Sequence, residues 1–399
     1  MNTLTLNLLS SLLLMFWAVI VYHHLIYPML LSRLGRQSDN DSTTGAIQPM
    51  PGVKRLTISL VIPAYNEADV IADKIRNVAS LDYPADKLQL IIACDGCSDD
   101  TAEIARKTAQ EPECRQLQVH IEDFKENRGK VAVLNDIIGQ LDSNIVALSD
   151  ASALISIDAL LQACDAFQDA DTGFVAATYK LLNPGSKGEA DYWLYQTRIK
   201  CNEANLGSPI GVHGALYFFR RQLFTPLAAD TINDDFILPM QMVMAGYKGV
   251  YLQDIVALEL EQASLQMDEK RRVRIAAGNL QQLLRLIKLT LPRYKGTAFT
   301  FVSGKALRAL MPAILFLQWL LCCLLAGESQ ILLALSILQP LGFTCAALSK
   351  CLPARLIPGK IQTIFYLANG YRASFIGMIR YCCGLERGCW KSVSKDSSQ

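Results

Sequence analysis

The chain has 399 residues, 51% of them hydrophobic, and a net charge of +1. That is too long for one ordinary domain and too apolar for a soluble one. The balanced charge supplies no broad basic field of the kind nucleic acid requires, so no nucleic-acid role is indicated.

The apolar excess is concentrated. Residues 4–31 contain no Asp, Glu, Lys or Arg, more than the ~20 residues that cross ~30 Å of hydrocarbon. A secretory signal would carry a basic start and a small-residue cleavage site. Neither is present, so residues 1–36 read as an N-terminal transmembrane anchor. Residues 37–56 are polar, rich in turn formers, and read as a linker.

Residues 57–265 alternate between two periods. LTISLVIP, LQLIIACD, QLQVHIED and NIVALSD predict strands, and NEADVIADKIRNVASL, SDDTAEIARKTA and GKVAVLNDIIGQL predict the helices between them. Apolar strands separated by helices predict an α/β domain with a mostly parallel sheet covered on both faces. Beyond Asp171 the pattern loosens; TGFVAATYK and GALYFFRR look like further strands around a helix near 192–206.

Residues 266–309 hold the basic KRRVR run and then Leu280, Leu283, Leu284, Ile287 and Leu291 at helical spacing. This predicts a basic amphipathic helix lying on a membrane surface. Residues 310–349 contain two more long apolar runs, expected as two transmembrane helices. In 350–399 a further helix is expected over 361–383. Arg372 and Arg380 would each cost ~2.5–3.5 kcal/mol near a bilayer centre, so it is expected to be interfacial or re-entrant and followed by a basic tail. Arg33, Arg36, the basic run at 270–308, Lys350, Arg355 and Lys360 all flank the apolar segments. The positive-inside bias then places the central domain and the C-terminus in the cytoplasm, and the membrane is expected to be a bacterial inner (plasma) membrane.

The candidate chemistry lies where strands end. Tyr65 and Glu67 follow the first strand, where Asn66 can cap a helix whose free N–H groups and positive dipole end suit a ligand. Tyr65 can stack on a base, and Glu67 can accept hydrogen bonds from a ribose or base. Asp95 ends the second strand and can hold a uracil imide or ribose hydroxyl. Lys130, in NRGK, opens a helix, where a cation is unfavourable unless an anion such as a diphosphate shares the site. Asp150 ends the fourth strand; a carboxylate there is costly unless paired or metal-bound, and Mg²⁺ or Mn²⁺ uses such ligands together with phosphates. Of Asp234 and Asp235, one can cap the next helix, while their repulsion raises one pKa and makes it a better base. The twelve cysteines form no disulfide framework. Cys94 and Cys97 lack the second pair that zinc would need, so they read as small buried hydrophobes.

Together PAYNE, DGCSDDT, NRGK, SDAS, GVHGALYFFRR, DDF and KRRVRIAAG resemble a family 2 glycosyltransferase of the GT-A fold. The branch resembled is the membrane one related to cellulose, hyaluronan and poly-N-acetylglucosamine synthases, over roughly residues 59–278. The resemblance implies that Ala64, Tyr65, Glu67 and Asp95 contact the nucleoside of a nucleotide-sugar donor, expected as a UDP-sugar. It implies that Lys130 and Asp150 serve the diphosphate and its divalent metal, and that Asp235 is the general base, with Asp234 beside it in the substrate site. Arg271, Arg272 and Arg274 match a Q/R-x-x-R-W motif that clamps the diphosphate and borders a glycan or lipid-linked acceptor. The motif's Trp is replaced by Ile275, and the second acid of D-x-D by Ser152. The implied reaction is a single displacement with inversion. The competing readings are a nucleotidyltransferase, which would not need the late DDF and RRVR groups, and a nucleotide-sugar-binding regulator without turnover.

Overall fold

The computed structural model describes residues 2–39, 55–184, 187–260, 265–349 and 358–386. Helix α1 (Thr3–Val21) continues through a wide turn at Tyr22–Ile26 into α2 (Tyr27–Asp39). Strict alternation follows: β1 (Ile58–Ala64), α3 (Ile71–Ala79), β2 (Leu88–Asp95), α4 (Thr101–Thr108), β3 (Gln118–Phe124), α5 (Lys130–Gly139) and β4 (Ile145–Ser149). Next come β5 (Ala153–Ile155), α6 (Ala159–Ala166), β6 (Thr172–Leu181), α7 (Lys187–Asn205), β7 (Leu216–Arg220), α8 (Asp234–Met244) and β8 (Lys248–Glu259). The helices α9 (Leu265–Arg285), α10 (Lys295–Thr300), α11 (Leu307–Leu324), α12 (Gln330–Leu348) and α13 (Gly359–Cys382) complete the described chain.

The strands form one sheet in the order β3-β2-β1-β4-β7-β6-β8-β5. β3, β2, β1 and β4 run parallel, while β7 lies antiparallel to both β4 and β6. The period of two along β1 divides the core. Leu60 and Ile62 pack with Ile71 and Ile75 of α3 on one face. Val61 packs with Val131, Leu134 and Ile138 of α5 on the other. The parallel strands therefore deliver Ala64, Asp95 and Asp150 to one edge, their carboxyl ends, where open α/β sheets bind ligands. Because β7 is antiparallel, Leu216 pairs with Ser149, and residues 212–215 arrive at that same edge.

Three departures from the sequence expectation are structural. Helix α3 begins at Ile71. Asn66 caps nothing: its φ is +58°, and its side chain exchanges hydrogen bonds with Ser98 at 2.8 and 3.0 Å. The segment 278–308 is not one surface helix. α9 stops at Arg285, Leu283, Leu286 and Leu289 are buried in the domain core, and Leu284, Ile287 and Leu291 are the exposed set. The strand β8 was unforeseen because a register shift opposite Ala177–Thr178 breaks its alternation.

Among the described residues, the helical stretches Thr3–Arg36, Pro292–Leu324 and Gln330–Leu348 are long and apolar enough to cross a membrane. The second starts well before residue 310, so Lys305 and Arg308 belong to its base. Helix α13 packs along α9 and α12. Gly377 permits that approach, since a Cβ there would lie 2.3 Å from the Val273 carbonyl oxygen. The basic tail expected beyond residue 386, and Lys350 and Arg355, lie outside the described residues.

Candidate active site

Lys130 stands at the centre. Gly129, at φ +88°, turns the chain into α5, and Lys130 is the first helical residue. Its Nζ lies 3.6 Å from Asp150 Oδ1 and 3.4 Å from Asp234 Oδ2. The anions that make a cation tolerable at a helix start are thus carboxylates of the protein. Burial disfavours the Lys130 charge, but Asp234, Asp150 and Asp235 outweigh it and hold the ammonium above its ordinary pKa.

Asp150 and Asp235 face each other across Gly214. A Cβ at Gly214 would lie 3.4 Å from Asp235 Oδ2 and 3.8 Å from Asp150 Oδ2. The backbone closes the arrangement, with Asp150 N–H donating to the Ala215 carbonyl and Val212 N–H to the Asp235 carbonyl. Burial works against ionised Asp150, yet Lys130 and then Arg271 hold its carboxyl below the ordinary range. Asp235 goes the other way. Burial, then the charge of Asp234, push it up to about 6 against the pull of Lys130. One edge of the sheet therefore holds one carboxylate kept ionised and one poised to exchange a proton.

Asp95 is fully buried, and its oxygens accept from the Arg128 N–H at 2.9 Å and the Gly129 N–H at 2.8 Å. These bonds clamp the loop that presents Lys130. Gly96 makes this possible: φ is +65°, and a Cβ would meet the Asn127 backbone nitrogen at 2.3 Å. The loops after β1 and β2 are laced together. Thr101 Oγ1 accepts from Glu67 N–H at 2.8 Å, and Asp99 accepts from Ala68 N–H at 3.2 Å. Ala64 is buried, while Tyr65 and Glu67 are half-buried at the edge of this lacing.

The three arginines divide. Arg271 and Arg274, three residues apart on α9, share a face. Arg271 acts electrostatically on Asp150, and Arg274 on Asp235; Arg274 also donates to the Ile232 carbonyl at 3.1 Å. Arg272 projects from another side, with its guanidinium 4.2 Å over the Tyr366 ring of α13. That contact braces α9 against α13.

Two residues without an assigned role from the sequence adjoin the site. His213 stacks on Tyr179 at 3.8 Å, with Trp193 edge-on at 5.2 Å. Its Nδ1 accepts from the Ala215 N–H at 3.1 Å, so it holds the backbone beside Gly214. Burial, then Arg271, lower its pKa to about 3, which keeps it neutral. Lys74 is fully buried and donates to Ser149 Oγ at 2.6 Å and to the Ala153 carbonyl, bracketing Asp150 from behind. It looked like an ordinary polar position of an amphipathic helix, so only the fold revealed it.

Residues 55–278, more than half of the chain, match the profile of the family described as "Glycosyltransferase like family 2". The chain belongs to this family. Poly-beta-1,6-N-acetyl-D-glucosamine synthase of Staphylococcus aureus is 28% identical to this family 2 chain over 236 residues, 57% of the chain and 56% of the relative. The synthase of the same name from Staphylococcus epidermidis is 27% identical over the same length. The match thus spans about half the length of these curated relatives. Among solved structures, mannosyltransferase PcManGT from Pyrobaculum calidifontis, in complex with GDP-Man and Mn2+, aligns with a TM-score of 0.70. That alignment covers 92% of this chain and 99% of the other at 22% identity, and it shows the shared GT-A fold.

The chemistry of the residues around Asp150 suits a divalent cation. Among the described residues no group of three or more His, Cys, Asp or Glu side chains converges as a metal cage. The Asp150 side chain is 36% exposed, and the buried Tyr217 hydroxyl has no hydrogen-bond partner in the described structure. A carboxylate open on one side, with unsatisfied oxygen nearby, suits Mg²⁺ or Mn²⁺, which take one or two carboxylates and complete their shell with waters and phosphates.

Proposed function

We propose that the protein is a membrane-bound inverting glycosyltransferase that moves a sugar from a nucleotide-sugar, a UDP-sugar, to a polysaccharide or lipid-linked acceptor. The carrying observation is the pair of carboxylates across Gly214, one held ionised by Lys130 and one raised to about 6, inside a family 2 domain. Asp235 accepts the proton of the acceptor hydroxyl as that oxygen bonds to the anomeric carbon. The bond from that carbon to the diphosphate oxygen breaks, and the nucleoside diphosphate leaves with the electron pair. Lys130, Arg271 and Arg274 face the charge that grows on the leaving group, where fixed cations contribute most. A divalent cation at Asp150 would neutralise the diphosphate. The wall of Tyr65 and Glu67 receives the nucleoside, and placing both substrates supplies much of the remaining acceleration.

The division of residues supports a domain plan of anchor, linker, GT-A domain over 57–265, basic segment over 266–309, two spans over 310–349 and an interfacial helix. The packing of α13 on α9, which carries the arginines, favours an interfacial position for that helix, and the flanking basic residues favour a cytoplasmic catalytic domain at a bacterial inner membrane. Titration calorimetry with UDP, paired with sugar release from purified membranes, tests the reading. Binding with release supports a transferase; binding without release supports the regulator instead.

A further inference from the structure

Cys94 and Cys97 enclose Asp95 and Gly96, and the fold brings both thiols to one place. Cys94 lies in β2 opposite Ala64 of the parallel neighbour β1, and Cys97 Sγ donates to the Ala64 carbonyl at 3.6 Å. Gly96 makes the turn between them at φ +65°, a conformation that a side chain with a β-carbon resists. Cys94 is buried in the hydrophobic core, and Cys97 packs against the same cluster. The two thiols share a hydrogen bond, with Cys94 as the donor.

Their surroundings divide the roles. Cys97 is half-buried, and the hydrogen bond from Cys94 lowers its thiol to about 7 against its burial. That same bond, with burial, holds the Cys94 thiol above its ordinary value. The thiolate is the nucleophile, so Cys97 meets an oxidant first and Cys94 resolves the product. What lies between the cysteines is the clamp on the Lys130 loop. Asp95 accepts from the Arg128 and Gly129 N–H groups, and Asn127 Nδ2 donates to the Asp95 carbonyl at 3.2 Å. A Cβ on Gly96 would lie 2.3 Å from the Asn127 nitrogen, so this turn and the loop press together without slack. Drawing the sulfurs to covalent distance, about 2 Å, takes Cys97 off the Ala64 carbonyl and turns Asp95-Gly96 against that loop.

We propose that Cys94 and Cys97 form a thiol-oxidation site, closed by a low-molecular-weight disulfide, that loosens the Asp95 clamp and weakens nucleotide binding beside Lys130. The Cys97 thiolate attacks one sulfur of that disulfide; a mixed disulfide forms, the oxidant's S–S bond breaks, and one small thiolate leaves. Cys94 then gives up its proton and attacks the Cys97 sulfur, expelling the second small thiolate. The two protein thiols together lose two electrons and two protons, and the oxidant takes up both to end as two thiols. The effect on nucleotide rests on the transferase reading; the oxidation does not.

The test treats the full chain in nanodiscs with oxidised glutathione and then with dithiothreitol. Complete trypsin digestion releases residues 88–106 as one peptide holding both cysteines, so the link reads as a loss of two hydrogens with no glutathione attached. Oxidised wild type should carry the link, be cut faster after Arg128 in limited trypsin digestion, and bind UDP about tenfold more weakly. Dithiothreitol should reverse all but the cut. Cys97→Ser should bind UDP as reduced wild type does and be unmoved by glutathione. Absence of the link overturns the inference, as does a link that leaves either cleavage after Arg128 or UDP affinity unchanged. So does an equal loss of affinity in oxidised Cys97→Ser, which would put the effect at another cysteine. If Cys97→Ser binds no UDP before oxidation, it has misfolded and Cys94→Ala decides: glutathione trapped on Cys97 supports the site, and an unmodified Cys97 overturns it. Reduced wild type that binds no UDP would end the transferase reading alone, because the link and the Arg128 cleavage are read without nucleotide.

Discussion

Lys130 Nζ stands 3.4 Å from Asp234 Oδ2, joining the cation that opens α5 to the acid that opens α8. This pairing separates two adjacent carboxylates. Asp234 takes the cation, while Asp235, about 100° further round the helix, is left with burial and the charge of its neighbour. The sequence order Asp-Asp thereby yields one acid paired with a cation and one whose pKa is raised.

The pH dependence of catalysis follows from that separation. A general base must be ionised, so kcat/KM should rise as pH passes through about 6, the value to which burial and Asp234 lift Asp235. The stability term has the opposite sense. A carboxyl whose pKa is raised on folding stabilises the protein below its unfolded value, and that contribution is lost as pH climbs through about 6. Asp235→Asn should therefore gain in melting temperature over wild type above that pH and not well below it. A rate profile with no inflection near 6 would remove Asp235 from the base role.

The arginines should not be equivalent. Arg272→Ala loses a cation–aromatic brace of about 0.5–2 kcal/mol and should lower thermal stability while leaving UDP affinity in place. Arg274→Ala removes a cation facing the leaving group and should reduce turnover by about a hundredfold. Steady-state kinetics of both variants decide; equal loss of turnover would place Arg272 in the site after all.

Lys74 is expected to write its burial into the stability of the folded protein. Burial lowers its pKa to about 7 from 10.5, so between those values the unfolded chain binds more protons than the folded one. Stability should then rise with pH across that window. Lys74→Met should flatten this slope, read by denaturation of detergent-solubilised protein. The same variant should also lower turnover, because Ser149 and Ala153 would lose the donor that brackets Asp150. An unaltered slope would mean that Lys74 is not buried as described.

Most of the first half of the catalytic domain was legible in the sequence, because β1, β2 and β4 are buried on the sheet and carry continuous apolar runs, while β3 at the sheet edge alternates exposed with half-buried residues. The irregular half was less so. β8 has a register shift that breaks the period of two, and α6 is buried on nearly every residue, so it carries no amphipathic pattern. At the site, Lys130, Asp150 and Asp235 were legible because charge at a strand end or helix start demands a partner. For Asp95 and Arg272 the contacts they make were not legible, for one shared reason. Motif spacing fixes the backbone position of a side chain, whereas its direction depends on neighbours, here the Arg128–Gly129 amides and Tyr366, that only the tertiary fold supplies.

Metal removal gives a separate handle on Asp150. EDTA should abolish transfer by wild type, and Asp150→Ala should weaken nucleotide-sugar binding chiefly when Mg²⁺ or Mn²⁺ is supplied. Full wild-type activity in EDTA would mean that Lys130 and the arginines alone carry the diphosphate.

The central claim is that this site transfers sugar with Asp235 as base. The most direct measurement incubates wild-type and Asp235→Asn membranes with a panel of nucleotide sugars and follows released nucleotide and incorporated sugar, with UDP affinity measured on the same preparations. Wild type should release UDP and incorporate sugar from one donor. Asp235→Asn should lose at least about a hundredfold in transfer, the range for a missing general base, while binding UDP nearly as well. Transfer by Asp235→Asn at close to the wild-type rate would contradict the account.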